Sequence, residues 1–179
     1  MIIKSPLNDK KPNIHPNSFI APNAVIIGDV EISEGVNIWF SAVIRADWGM
    51  IKIMENTSVH DNCTIYAAPY STVIIGENCI IGHNSCIHGP CKIGNNVKVG
   101  VNASILPNTN IQSNIIIKAG SVVKEGMFCR SNTLYGGNAD AEIIKIYRSE
   151  MQVISQVTME SAFYIENCIK FKEFFKEKK

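Results

Sequence analysis

The sequence has little charge, no long apolar run and no paired cysteine motif. Seventeen Lys and Arg stand against 16 Asp and Glu, for a net charge of +1. Such a balance offers no electrostatic footprint for nucleic acid or an anionic membrane. No apolar run exceeds four residues, as in Ala24 to Ile27, whereas a bilayer-spanning helix needs roughly 20. The opening stretch, Met1 to Asn13, holds no apolar core of the kind a secretory leader requires. The six Cys include no Cys-x-x-Cys pair, which argues against a cysteine zinc site and for buried reduced thiols. A cytoplasmic protein is expected.

What is present is a period. From Ile75, each sixth residue is Ile or Val: Ile75, Ile81, Ile87, Ile93, Val99, Ile105, Ile111, Ile117 and Val123. The same step runs through Ile14, Ile20, Ile26, Ile32, Ile38 and Ile44, and again through Ile53, Val59 and Ile65. Small or modest residues, among them Cys63, Cys79, Ser85, Cys91 and Ala103, follow four positions after these guides. A six-residue repeat of this kind is the signature of a parallel β-helix. Each unit turns one bulky side chain inward, and three units close a triangular coil. The 18 guide positions predict about six coils over residues 14–123.

The phase slips twice, through Asp47-Trp48-Gly49-Met50 and through Ala67-Ala68-Pro69-Tyr70. If the faces are named A, B and C, with Ile75 on A, both slips fall at the corner between C and A. They therefore bulge outward and leave the stacking intact. Arg45, Tyr66 and His88 then form one column after the C guides. On face B, His60 lies below the Gly82-His83 pair. Two polar columns a whole face apart cannot meet within one subunit. They can meet if the B edge of one subunit faces the C edge of another, as a cyclic homotrimer requires.

After Val123 residues 124–139 read as loop. Asp140 is placed as a helix N-cap, and residues 140–177 contain no Pro or Gly. Apolar residues there recur at helical spacing: Ile143, Ile146, Met151, Ile154, Val157, Phe163, Ile169 and Phe174. A C-terminal helix, continuous or broken near 150, is expected to pack along the prism. The whole chain, 1–179, is expected to be a single domain.

Four segments carry a resemblance. Val43-Ile-Arg-Ala-Asp47, Val59-His-Asp-Asn-Cys63, Gly82-His-Asn-Ser-Cys-Ile-His88 and Leu134-Tyr-Gly-Gly-Asn138 resemble, in order and context, the gamma-class carbonic anhydrases within the hexapeptide-repeat proteins. The resemblance implies an all-β fold, a left-handed parallel β-helix with a C-terminal α-helix packed along it. It also implies a homotrimer with a zinc or iron ion at each subunit interface, and a lyase activity, the reversible hydration of CO2. His83 and His88 match two of the metal ligands. Arg45 matches a structural arginine, Asp47 the aspartate after it, Asp61 an acidic residue paired with the arginine across the interface, and Tyr135 a pocket-lining tyrosine. The sequence departs from the family at two places. Tyr66 stands where the first metal His is expected, and His60 replaces the Gln that holds the reacting water. His60, on the same edge as His83, is a candidate replacement ligand. Arg45, Asp47, His60, Asp61 and Tyr135 are thus the candidate catalytic residues, and His83, His88, His60 and Tyr66 the candidate metal residues.

Two other functions fit the same prism. An acyl- or acetyltransferase would lay an acyl-CoA along it and use His83 or His60 as general base. A non-catalytic trimeric binder would keep the interface and lose the metal. Each residue also has a plainer role: Arg45 and Asp61 as an interface ion pair, His60 as an interface hydrogen-bonder, Tyr66 as filler, Trp39 and Trp48 as packing.

Overall fold

The computed structural model describes residues 1–176. Its frame is a parallel β-solenoid of about seven turns, closed by a single C-terminal helix. The guide residues stack in three uninterrupted columns. On one face Ile14, Ile32, Ile53, Ile75, Ile93, Ile111 and Cys129 pair in register. On the second Ile20, Ile38, Val59, Ile81, Val99, Ile117 and Tyr135 do so. On the third the column is Ile26, Ile44, Ile65, Ile87, Ile105 and Val123. These are the faces A, B and C of the sequence reading.

Almost all of these side chains are fully buried, and so are the small residues four positions on, such as Cys63, Cys79, Ser85 and Ala103. A bulky and a small side chain alternate along each rung, which fills a narrow triangular interior at close-packed density. Backbone donors are satisfied from rung to rung: the His60 N–H donates to Ile81 O at 2.9 Å and the Gly82 N–H to Val99 O at 2.8 Å.

The corners have their own signal. Asn56, Asn62, Asn78, Asn84, Asn96, Asn102, Asn108, Asn114 and Asn132 all have positive φ. Most sit three residues after a guide, and Gly120 and Gly126 take the same slot with φ of 68° and 73°. Asparagine tolerates the left-handed conformation because its short polar side chain compensates locally, and glycine because it has no Cβ. The repeat is therefore a guide, a left-handed corner residue and a small inward residue.

Both phase slips lie where the stacking argument puts them. Arg45 stays in register with Tyr66 below the insertion, and Met50 with Thr72 above it. The extra residues bulge at one corner, where the Tyr70 N–H donates to Trp48 O at 3.2 Å. Trp48 is exposed there and does not pack in the core.

The solenoid extends beyond 123. Phe128–Cys129 and Thr133–Gly136 continue two of the columns, so the reading of 124–139 as loop and the count of six coils both fall short. Their inward residues are Cys129 and Tyr135, which no Ile/Val template detects. The expected helix over 140–177 is also corrected. Glu142–Ile146 is an antiparallel strand on Thr133–Gly136, and its β-branched residues suit the last edge of the sheet. Asp140 caps nothing and pairs with Lys124. The helix is Met151–Lys176, with the Ser149 hydroxyl accepting the Met151 N–H at 3.3 Å; position 177 lies outside the described residues. No described helix is long and apolar enough to cross a membrane.

The helix lies over face B, against the strands Phe19–Ile20, Asn37–Ile38 and Ser58–Val59. Val153, Val157, Ser161 and Cys168 point inward and are buried, whereas Met151, Phe163, Ile169 and Phe174 are exposed. An aromatic cluster of Phe19, Trp39, Phe40 and Phe171 fastens its second half. Glu160 pairs with Lys98 of the prism near its middle.

Candidate functional site

The structure divides the predicted site residues into two groups and leaves one outside both. The first group stands on the B edge. His60 follows the guide Val59, and His83 follows Gly82 one rung above, with ring centroids 4.6 Å apart. Asp61 is bonded on both oxygens: Oδ1 accepts the Phe40 N–H at 2.9 Å and Oδ2 lies 3.1 Å from His83 Nδ1. The carboxylate thus fixes the imidazole from behind, which makes Nδ1 the protonated nitrogen and Nε2 the acceptor.

His60 is 2% exposed, and its Nε2 has no hydrogen-bond partner among the described residues. Burial, then the neighbouring His83 and Lys98, pushes its pKa down to about 3. It is a neutral ring wedged between His83 and Tyr164, whose ring centroid lies 3.8 Å away. Tyr164 also closes the B edge from above, its hydroxyl 3.3 Å from His83 Nε2. Sequence reasoning did not find Tyr164; helical periodicity cannot say which aromatic of a helix meets a polar edge.

The second group stands on the C face. Arg45, Tyr66 and His88 form one column in register, as predicted. The Tyr66 and His88 rings are 5.4 Å apart at 49°. Arg45 pairs with Asp47 of its own chain. The buried Asp47 also accepts a hydrogen bond from the Ser5 hydroxyl at 3.0 Å, so this carboxylate is paired and bonded as a buried charge must be. Within the chain, then, Arg45 and Asp61 serve different partners.

Tyr135 belongs to neither group. It ends the column Ile81, Val99, Ile117, Tyr135 inside the prism. At roughly 4.8 Å per rung, that is about 14 Å from the level of Ile81. Its hydroxyl accepts the Arg130 N–H at 2.8 Å, and burial raises its pKa. It is a core residue and not a wall of the His83 pocket of this chain.

Whether these residues fit a metal can be tested from their donors. Among the described residues no three His, Cys, Asp or Glu side chains gather around one point. His83 and His88 lie on different faces, so copies of the chain would have to share a site. His60, the replacement ligand proposed from sequence, has its Nε2 buried and its ring packed on Tyr164, which turns that nitrogen away from an ion at the surface. What remains is two imidazoles and the Tyr66 phenol. That set does not fit a three-imidazole zinc centre.

Comparison with known proteins gives consistent neighbours. The family model "Bacterial transferase hexapeptide (six repeats)" matches residues 11–46. A hexapeptide transferase family protein from Anaplasma phagocytophilum superposes with a TM-score of 0.86 at 26% identity, covering 95% of this chain and 97% of the other. A putative acetyltransferase of Bacillus cereus superposes with a TM-score of 0.79 at 30% identity, covering 92% and 97%. Mitochondrial gamma carbonic anhydrase 3 of Arabidopsis thaliana is 34% identical over 76 residues, which are 39% of this chain and 30% of that protein. The chain spans less than half the length of the curated relatives it matches.

Proposed function

We propose, from the premise that this chain belongs to the hexapeptide-repeat family, that it is an acyltransferase working as a homotrimer. Each site would join the Asp61–His83 edge of one subunit to the Arg45–Tyr66–His88 column of the next. The observation that carries the reading is the 3.1 Å contact between Asp61 Oδ2 and His83 Nδ1. A carboxylate behind an imidazole sets the tautomer and supports the cation that forms when Nε2 takes a proton, which is what a general base needs. The similarity to the Bacillus cereus putative acetyltransferase, nearly end to end, supports the same class.

The chemistry follows from the donor. His83 Nε2 takes the proton of an acceptor hydroxyl or amine. The freed lone pair attacks the thioester carbonyl of an acyl-CoA, the carbon–sulfur bond breaks, and the departing thiolate takes the proton back from His83. Arg45, half-exposed and holding Asp47 through Nε, keeps its other guanidinium donors for a phosphate of the coenzyme. Buried reduced thiols at the inward small positions support a reducing compartment such as the cytoplasm.

Metal-dependent CO2 hydration is the second reading. The His83 and His88 placement and the similarity to gamma carbonic anhydrase 3 favour it. Tyr66 and the buried Nε2 of His60 weigh against it. The test is calorimetric titration with acetyl-CoA, beside light scattering and metal analysis of protein purified without chelators. A trimer that binds acetyl-CoA and carries well under one metal per subunit is expected. A monomer overturns the shared site. No binding of acetyl-CoA, with about one zinc or iron per subunit, overturns the acyltransferase in favour of the hydratase.

A further inference from the structure

The hydrogen bonds around His83 have one consistent polarity. Asp61 Oδ2 accepts a hydrogen bond from Nδ1–H, so Nε2 presents a lone pair, and the Tyr164 hydroxyl lies 3.3 Å from it. That hydroxyl comes from the C-terminal helix and not from the prism. The helix is fastened on both sides of position 164. Val157 and Ser161 are buried before it, and Cys168 after it. Phe171 sits edge-on to Trp39, with centroids 5.3 Å apart. The Tyr164 ring itself has two aromatic neighbours on the prism, His60 at 3.8 Å and Trp39 at 5.6 Å. The phenol is therefore held on a rigid element.

We infer that Tyr164 is a positioning residue for His83, fixing the direction of Nε2 through its hydroxyl while its ring rests on His60. This deepens the reading of His83 as the base and rests on it. It also gives His60 a role. As a flat, buried ring beside His83, it is the platform on which the phenol lies. Asp61 alone fixes one end of the imidazole and leaves the ring free to swing about that contact. A second contact, on the opposite nitrogen, removes that freedom. The incoming acceptor then takes over the Nε2 contact from Tyr164, in a direction already set.

The test is nitrogen NMR of the histidine rings in the full chain, labelled with 15N-histidine, at a pH where the rings are neutral. The chain has four His, each assigned by its own substitution. In the wild type, His83 Nε2 is expected at the shifted position of a nitrogen that accepts a hydrogen bond. In Tyr164→Phe, which keeps the ring on His60 and loses only the hydroxyl, that signal should move to the position of a free nitrogen, with Nδ1 still protonated. A free-nitrogen value in the wild type overturns the proposal without any variant, as does a signal that Tyr164→Phe leaves in place. A Tyr164 that merely pins the helix would not move it. The experiment contains no substrate. Thioester turnover without the shift would overturn the role of Tyr164 alone. The shift in a protein that does not bind acetyl-CoA would overturn the acyltransferase reading alone.

Discussion

Tyr66 stands one rung below His88 in a shared column, their ring centroids 5.4 Å apart. Where that column would need two imidazoles to hold an ion against His83 of another subunit, it offers one imidazole and one phenol. Zinc centres are built from imidazole, thiolate and carboxylate ligands, and a phenol is not among them. Tyr66→His should therefore raise zinc content from well under one ion per subunit to about one, since three protein ligands suffice for a zinc site with an open position. Metal analysis after dialysis reads the result. Equal metal content in wild type and variant would mean that the column does not face His83.

The Asp61–His83 contact predicts a kinetic defect of a particular kind. Asp61→Asn keeps the size of the side chain and its bond to the Phe40 N–H, but the amide can present NH2 to His83 and favour the wrong tautomer. If His83 is the base, thioester turnover should fall by about 10²–10⁴-fold, the usual contribution of general acid–base catalysis, with little change in acetyl-CoA affinity. A loss confined to affinity would make Asp61 a binding residue instead.

The columns were legible in the sequence because a six-residue period with outward insertions leaves no freedom of register: Arg45, Tyr66 and His88 had to stack once Ile44, Ile65 and Ile87 did. The last rungs were hidden because Cys129 and Tyr135 occupy guide positions without being β-branched. The start of the helix was misplaced because Glu142–Ile146 is apolar at spacings that suit a helix or a strand, and only the open edge of Thr133–Gly136 decides between them. The burial of His60 is hidden for a related reason. Its edge follows from the repeat, but its accessibility depends on a helix whose docking phase no repeat constrains.

The corner asparagines predict a stability pattern. Asn102 has φ of 57°, and its N–H donates to His83 O at 2.9 Å, so it shapes the corner next to the site. Asn102→Ala forces a Cβ-bearing residue without a compensating side chain into the left-handed region and should cost about 1–2 kcal/mol. Asn102→Gly, free of that strain, should be close to neutral. Urea unfolding of the pair reads the difference, and equal stabilities would mean that the corner relaxes out of the left-handed conformation.

His60 carries a dependence on pH whose sign is fixed by its surroundings. Burial holds its pKa at about 3 in the folded chain, against an ordinary 6.5. Between these values the unfolded chain binds a proton that the folded chain refuses, so acid favours unfolding. The loss begins as pH falls through about 6.5, grows by at most ~1.4 kcal/mol per pH unit, and ends near the folded value. His60→Gln removes the group that titrates. The stability difference between wild type and variant should therefore shift steadily in favour of the variant from pH 7 down to pH 4, and stay constant from pH 7 to 9. Thermal unfolding across that range measures it. A difference that does not change with pH would mean that His60 takes up a proton in the folded protein as readily as in the unfolded chain, and that its burial does not hold it neutral.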